Sequence, residues 1–396
     1  MSKPLNADSA STVVTFDGAP EPGFINFGVG QPSADLLSVD LVRAASELFF
    51  ASAQPLELNY GERQGDVRFL ASLSGLLERE YGKPAPRELL MLTAGNSHAL
   101  DFVCSRFTRP GDIVFVEDPS YFLAFQIFRD HGLEIVGIPV DSDGLDIEYL
   151  EQELKHHRPR LLYTIPSYHN PTGRTMSRAR RERLVALSRI HEFIIAADEV
   201  YQMLYYGDSP PPALGTYAEH GNVLSLGSFS KILAPAMRLG WIQTNAELMR
   251  TLIASGTVNS GGSFNQFTSH IVRQAIDKGL LGDFMLALRA QLRGRVRAMD
   301  EALRRHLGDL LDWQCPEGGY FFWLKLRGDV DAGRIRDHAD EFRTGFQPGD
   351  LFSPQGQGLQ NFIRLSFAHY NEADIDEGVA RLAALVRQHA SGGIRQ

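Results

Sequence analysis

The sequence has few of the features that mark disulfide-bonded, membrane-bound or nucleic-acid-binding proteins. Only two of its 396 residues are cysteines, and Cys104 and Cys315 match no metal or redox spacing. No apolar run approaches the length of a membrane span, and no basic segment followed by an apolar one stands at the start. The formal net charge of −9 disfavours general binding to nucleic acid or to anionic membrane surfaces. We therefore expect a cytoplasmic protein with no nucleic-acid partner, no membrane partner and no metal site.

The chain is long enough to bury a large core, because 43% of its residues are hydrophobic. From about residue 39 to residue 278, helical and short apolar segments alternate, which predicts an α/β fold with a mostly parallel sheet covered by helices. Residues 1–23 are polar and small, and we interpret them as an N-terminal arm. Residues 289–307 form a long charged helical stretch, in which we expect Arg289, Arg293, Arg297 and Arg304 on solvated faces.

The most informative stretch runs from Ser228 to Arg238. Lys231 stands beside Ser228 and Ser230, and Arg238 follows seven residues later. An amine that forms a Schiff base, next to groups that hold a phosphate, is the arrangement that pyridoxal 5'-phosphate (PLP) requires. We predict that Lys231 binds the aldehyde carbon of PLP, while Ser228, Ser230 and Arg238 hold the phosphate. The same short pattern also occurs in ordinary surface loops, so it needs support from elsewhere in the chain.

Support comes from the ends of two predicted strands. Residues 193–197 form an apolar run that ends at Asp198, and functional groups gather beyond the carboxyl ends of such strands. Asp198 can keep the pyridine nitrogen of PLP protonated, although an aspartate here can also cap a helix. Residues 161–165 lead to Asn170, which precedes Pro171 in what would otherwise be an ordinary turn. The side chains of Asn170 and Tyr201 can donate hydrogen bonds to the phenolic oxygen of the cofactor.

These motifs together resemble the class I/II aminotransferases of PLP fold type I. The order and spacing of Asn170-Pro-Thr-Gly, Asp198-x-x-Tyr201 and Ser228-x-Ser-Lys231 are those of the family. Residues 228–241 are similar to the branch with 2-aminoadipate and kynurenine aminotransferases and MocR-type regulators. The resemblance runs from about residue 25 to the C-terminal helix and implies an aspartate-aminotransferase-like α/β fold. It implies a large PLP-binding domain at 46–289 and a smaller α/β domain from both termini, at 24–45 and 290–396.

The resemblance also implies roles at the cofactor for four further residues. Gly95 stands at the family's glycine turn, where the backbone amides of Asn96 and Ser97 would bind the phosphate. The family usually has a Ser-Gln pair where this chain has Asn96-Ser97. Tyr121 matches the aromatic residue that stacks on the cofactor ring and takes part in catalysis.

Substrate and subunit contacts follow from the same resemblance. Arg364 would bind the α-carboxylate of the substrate with its planar fork, unless it forms a structural ion pair, and Asn170 would assist it. The segment 25–32, with Gly30, would lie over the substrate. Tyr60 would reach across a homodimer interface to the neighbouring subunit's phosphate, which makes the active sites composite.

The implied reaction moves an amino group from an L-amino acid to a 2-oxo acid, with Lys231 as general base. A racemase, lyase or oxidase on the same fold remains an alternative. An effector-binding protein is less favoured, because about two dozen non-basic residues stand where MocR-type regulators carry a basic DNA-binding domain. Phe24, Phe27, Tyr121 and the 261–264 loop, which includes Phe264, suggest a large apolar or aromatic substrate side chain.

Overall fold

The structure is a computed structural model that describes residues 21–328 and 330–390. Residues 1–20 of the predicted N-terminal arm lie outside the described residues. The helices are α1 (Val39–Phe50), α2 (Val67–Tyr81), α3 (Asn96–Phe107), α4 (Phe122–Asp130), α5 (Ile147–His156), α6 (Arg178–Ile190), α7 (Ala246–Ile253), α8 (Gly256–Gly261), α9 (Gln266–Asp277), α10 (Leu280–Leu307), α11 (Ala332–Arg336) and α12 (Glu372–Ala390).

The strands occur in three sheets. They are β1 (Ile25–Asn26), β2 (Leu90–Thr93), β3 (Ile113–Asp118), β4 (Glu134–Asp141), β5 (Gly144–Leu145), β6 (Pro159–Thr164), β7 (Ile194–Asp198), β8 (Val223–Ser228), β9 (Gly240–Gln243), β10 (Leu311–Trp313), β11 (Phe321–Leu326), β12 (Thr344–Gly345), β13 (Gln347–Pro348) and β14 (Phe362–Ser366).

The central sheet has eight strands in the order β2-β9-β8-β7-β6-β3-β4-β5. Strands β4, β3, β6, β7 and β8 run parallel, whereas β9 and β5 are antiparallel to their neighbours. Every residue of β7 is buried, as expected for a strand covered by helices on both faces. The predicted α/β fold with a mostly parallel sheet is confirmed.

The pairing of these strands brings their carboxyl ends to one edge. Thr164, Asp198 and Ser228 end the adjacent parallel strands β6, β7 and β8. Thr93 ends β2 and pairs with Gly240 of β9, which also pairs with Ser228. The start of α3 therefore lies beside the end of β8, at the edge where the sequence places its functional residues.

A second, four-stranded antiparallel sheet has the order β10-β11-β14-β13. The short strand β1 pairs in parallel with β12, which joins the N-terminal segment to the C-terminal part of the chain. Helix α12 packs along α10. The predicted division into two domains stays a prediction, and its boundary between residues 289 and 290 falls inside α10.

The expectation for Arg289 was wrong, because only 7% of this residue is exposed. Its Nη2 lies 2.5 Å from a carboxylate oxygen of Glu80, its Nε donates to the Met203 carbonyl at 2.8 Å, and its guanidinium covers the Tyr205 ring. The long stem and planar head of this arginine therefore join α10 to α2 and to the loop after β7.

Candidate active site

A cavity of about 1000 Å³ lies at the carboxyl edge of the central sheet. It is closed from the other side by the segment after β1 and by residues of β11 and β14. All the predicted site residues except Tyr60 and Gly95 line it: Gly30, Asn96, Ser97, Tyr121, Asn170, Asp198, Tyr201, Ser228, Ser230, Lys231, Arg238 and Arg364. Residues that stand far apart in sequence thus meet in one cavity.

The amine of Lys231 lies inside this cavity, three residues after the end of β8. Its Nζ donates to the Gly30 carbonyl at 2.9 Å and lies 5.2 Å from the centre of the Tyr320 ring. Burial, together with the positive charge of Arg364, lowers the pKa of Lys231 to about 8, against the opposing effect of Asp198. A large fraction of this amine is therefore unprotonated, and hence nucleophilic, at slightly alkaline pH.

Asp198 presents a buried carboxylate at the end of β7. Its Oδ2 accepts from the Tyr163 hydroxyl at 2.9 Å, and its Oδ1 accepts from Asn96 Nδ2 at 2.6 Å and from the Val200 amide at 3.3 Å. Burial raises the pKa of Asp198, and the hydrogen bonds from Tyr163 and Asn96 counteract that effect. The alternative that Asp198 caps a helix is wrong, because turns follow β7.

Hydroxyls, a helix N-terminus and a guanidinium meet beside the end of β8. Ser228 Oγ lies 2.9 Å from Ser230 Oγ, and both residues line the cavity with Arg238. Gly95 precedes α3 with φ +91, a backbone conformation that residues with a side chain rarely adopt. A Cβ on Gly95 would lie 3.4 Å from Arg238 Nη2. This arrangement suits a phosphate, because unpaired amides and a cation face the same space.

Arg364 lies at the other end of the cavity, in β14. Its Nη1 donates to Asn170 Oδ1 at 3.1 Å and its Nη2 donates to the Gly28 carbonyl at 2.8 Å, while the rings of Phe321 and Phe352 flank the guanidinium. Burial lowers the pKa of Arg364 to about 10. Its buried Nε has no hydrogen-bond partner, and no carboxylate in the described part of the chain pairs with it. A carboxylate ligand would satisfy this cation.

Comparison with known proteins agrees with this geometry. The family described as "Aminotransferase class I and II" matches residues 22–382. The chain belongs to this family. It is an enzyme, a PLP-dependent aminotransferase with an aspartate-aminotransferase-like fold of type I. The donor set around Lys231 fits PLP, because it offers an amine, a carboxylate and a phosphate site within one cavity.

Two relatives and one solved structure illustrate the similarity. Aromatic-amino-acid aminotransferase 1 of Thermococcus litoralis is 31% identical over 370 residues, which are 92% of this chain and 88% of the relative. The 2-aminoadipate transaminase of Thermus thermophilus is 30% identical over 371 residues, 92% of this chain and 91% of the relative. The crystal structure of a kynurenine aminotransferase from Pyrococcus horikoshii has a TM-score of 0.87 at 29% identity, covering 94% of this chain and 92% of that chain.

Two tyrosines of the aminotransferase line the cavity as neutral phenols. Tyr121 precedes α4, and burial raises its pKa to about 12. Tyr201 packs against the rings of Tyr320 and Phe321, and burial raises its pKa well above the usual range. Both hydroxyls can therefore donate a hydrogen bond near neutral pH.

Several residues named from the sequence lie elsewhere. Tyr60 is 83% exposed and does not line the cavity of its own subunit. Phe24, Phe27 and Phe264, which the sequence suggested for the substrate pocket, do not line the cavity of their own subunit. Phe27 is fully buried against Tyr370, and Phe264 packs on His98. Phe24 is not among the residues around the cavity.

Among the residues that line the cavity, sequence reasoning did not identify Tyr163, Phe321 or His369 as part of the site. Tyr163 and Phe321 occupy strand positions that read as core, and His369 follows β14 without any motif. No sequence signal identified Tyr163, because its place beside Ala196, two residues before Asp198 on the neighbouring strand, follows from the strand register. Among the described residues no helix is long and apolar enough to cross a membrane.

Proposed function

We propose that this aminotransferase takes the amino group from an L-amino acid with an aromatic or large apolar side chain and transfers it to a 2-oxo acid. The observation that carries the proposal is the distribution of charge in the cavity. Among the described residues that line the cavity, the aspartate, lysine and arginine side chains are Asp198, Lys231, Arg238 and Arg364, and there is no glutamate. Each has a role at the cofactor or at the α-carboxylate, so no lining cation is left for a distal carboxylate.

The rest of the lining supports an apolar side chain. Leu37, Phe122, Leu123, Ile127 and Phe321 contribute apolar surface to the same cavity. The polar side chains among the remaining lining residues include Gln31, Gln347 and His369, and burial lowers the pKa of His369, which keeps it neutral. An apolar substrate group gains free energy by leaving water for such a surface, whereas a carboxylate loses its hydration.

We assign the lining residues to three parts of the bound ligands: the cofactor ring, the cofactor phosphate and the substrate. Bound PLP supplies a ring that accepts electrons when a bond to the α-carbon of the substrate breaks. Asp198 would hold the ring nitrogen, Asn170 and Tyr201 would donate to the phenolic oxygen, and Tyr121 would cover the ring. The phosphate would be held by Gly95, Asn96, Ser97, Ser228, Ser230 and Arg238. The substrate is held by Arg364, Asn170 and Gly30.

Lys231 moves the proton in this scheme. Whenever Nζ of Lys231 is not bound to the cofactor, it would be a free amine in a buried site next to the cation of Arg364. Its lowered pKa lets it take the proton from the α-carbon as a general base. Arg364 holds the α-carboxylate and so orients the α-carbon, which limits the motion that the proton transfer requires.

We further infer a cytoplasmic homodimer in which Tyr60 completes the partner's site. An exposed apolar surface supports this inference: Phe50, Leu56, Leu58, Tyr60 and Phe267 are between 44% and 83% exposed. Phe50 and Phe267 touch each other, and Gly61, the residue after Tyr60, lies against Gln266, the residue before Phe267, so the segment that carries Tyr60 adjoins these two rings. Continuous apolar surfaces of this kind mark protein interfaces, and a second copy of the chain is the occupant we propose.

The substrate proposal is tested by mixing holoenzyme with single amino acids in the absence of any 2-oxo acid. We expect phenylalanine, tyrosine, leucine and methionine to bleach the visible band of the cofactor at least tenfold faster than glutamate or 2-aminoadipate. Faster conversion by either dicarboxylic donor would overturn the proposed side-chain class. Chiral analysis of the remaining amino acid serves as a control, since racemisation without 2-oxo acid formation would indicate a different reaction.

A further inference from the structure

Asn96 makes contacts that its place in the sequence does not explain. It is the first residue of α3, where its backbone amide is proposed to bind phosphate. Its side chain instead reaches Asp198, with Nδ2 donating to Oδ1 at 2.6 Å, and the Leu226 carbonyl, with Nδ2 donating at 3.0 Å. Both partners are acceptors, so the amide nitrogen must face them. A serine at this position would be too short to make the same two bonds.

The acceptor capacity of Asp198 is nearly filled by the protein. A carboxylate has about four acceptor sites. On Oδ1, the Asn96 side chain and the Val200 amide use two sites, and on Oδ2 the Tyr163 hydroxyl uses one. The remaining site is on Oδ2. Asp198 is 8% exposed and lines the cavity, so this site is the one available to a ligand.

We propose that Asn96 is a positioning residue that keeps Asp198 ionised and aims its remaining acceptor site at the ring nitrogen of the cofactor. The inference rests on the proposed role of Asp198. Burial in the sheet favours the neutral acid, whereas donated hydrogen bonds favour the ion, because a carboxylate accepts them more strongly than a neutral acid does. Tyr163 and Asn96 supply the two side-chain bonds and the Val200 amide supplies a third. The bond to the Leu226 carbonyl fixes the direction of the Asn96 side chain.

The variant Asn96→Ser separates this role from phosphate binding. It keeps the backbone amide at the start of α3 and introduces a hydroxyl there, but it removes the bond to Asp198. A hydrogen bond to a charged group shifts an ionisation equilibrium by about tenfold to a hundredfold. With Asp198 less ionised in this variant, the ring nitrogen of the cofactor would lack an anionic partner. We therefore expect the pH midpoint of the cofactor's visible band to move upward. We expect kcat to fall by a similar factor while KM for the amino acid changes less than threefold, because Arg364 is untouched.

The experiment compares the holoenzymes of Asn96→Ser, Tyr163→Phe and Asn222→Ser by absorption titration and steady-state kinetics. Tyr163→Phe removes the second donor and is expected to shift the midpoint in the same direction. Asn222→Ser is the matched control, since its Nδ2 donates to the Ser188 carbonyl outside the cavity, and no shift is expected. An unchanged midpoint in Asn96→Ser would overturn the inference, as would weaker cofactor binding with an unchanged midpoint.

Two further measurements keep the outcomes distinct. If Asp198→Asn shifts the midpoint and Asn96→Ser does not, only this inference fails; if neither shifts it, the proposed role of Asp198 fails as well. The apo-enzyme offers a readout without cofactor. Because the pKa of Asp198 is raised on folding, its contribution to stability is lost as pH rises through that pKa. Asn96→Ser raises this pKa further, so its thermal midpoint must fall more than that of wild type as pH rises.

Discussion

Arg364 is a cation held in place by neutral groups. Its contacts are an amide oxygen, a backbone carbonyl and two aromatic rings, and the chain supplies no described carboxylate to neutralise it. Such a site is costly in the empty enzyme and becomes favourable when an anion enters. The contacts therefore explain why an α-carboxylate would bind here and why the fork of an arginine suits the site better than a lysine.

The first prediction concerns this fork. Arg364→Lys keeps the charge but replaces the planar fork by one nitrogen, which cannot bind both oxygens of the substrate carboxylate in parallel while it keeps the bond to Asn170. We expect KM for the amino acid to rise about tenfold to a hundredfold, as for lost hydrogen bonds to a charged group. Steady-state kinetics checks the change, with the exposed Arg334→Lys as control. An unchanged KM would show that the substrate carboxylate binds elsewhere.

The second prediction concerns the pH dependence of Lys231. Burial and the charge of Arg364 lower the pKa of Lys231 to about 8. The reactive amine gains population as pH rises through this pKa, so the rate of PLP uptake by apo-enzyme should rise and level off with a midpoint near pH 8. Removing the neighbouring charge in Arg364→Gln should move the midpoint upward. The growth of the visible band measures both rates, and Lys231→Ala should form no such band and have no turnover.

Single residues also show what the sequence can and cannot predict. Lys231 and Asp198 stand after or at the end of recognisable strands and Arg364 stands within one, and all three line the cavity. The Asn96 side chain meets an acceptor 102 residues later, and Arg289 meets an acid 209 residues earlier. Neither hydrophobic periodicity nor local spacing predicts such distant contacts, because they form only when the sheet and the helices pack together.

At the scale of elements, the site depends on strands that end together and on helices that begin there. The parallel order of β6, β7 and β8 could be predicted from alternating apolar and helical segments. The antiparallel β9 between β2 and β8 could not, since its four residues resemble any short strand. Yet this strand brings the start of α3 beside Ser228, and the proposed phosphate site depends on that proximity.

The third prediction concerns the turn between β2 and α3. Gly95→Ala forces a side chain into a backbone conformation that only glycine adopts readily, and its Cβ approaches Arg238. The strain is on the order of 1–3 kcal/mol and falls on the proposed phosphate site. We expect about tenfold weaker binding of both PLP and pyridoxamine phosphate, measured by titration of apo-enzyme.

Gly82→Ala provides the matched control for this turn. Gly82 also has a positive φ of +67, at the end of α2, but a Cβ there would meet nothing within 4 Å. This variant should lose stability without losing affinity for the cofactor. Equal loss of cofactor affinity in both variants would mean that general destabilisation, and not the phosphate turn, explains the effect at Gly95.

At the scale of the whole molecule, the fold leaves one predicted residue without a function in its own subunit. Tyr60 lies on the exposed apolar surface formed with Phe50, Leu56, Leu58 and Phe267, outside the cavity. Burying an exposed aromatic residue against a second copy would remove apolar area from water. If Tyr60 then binds the partner's phosphate, each active site consists of residues from two chains.

The fourth prediction tests this composite site by subunit mixing. Lys231→Ala lacks the amine in its own site, and Tyr60→Ala would lack a phosphate contact in the partner's site, so each homodimer is impaired. A hybrid dimer has one site in which Lys231 and the opposing Tyr60 are both intact. Random exchange of equal amounts makes half of the dimers hybrids, so about a quarter of all sites recover full activity. If Tyr60 served its own subunit, the hybrid would contain no intact site, and mixing would add nothing to the residual activity of the two variants.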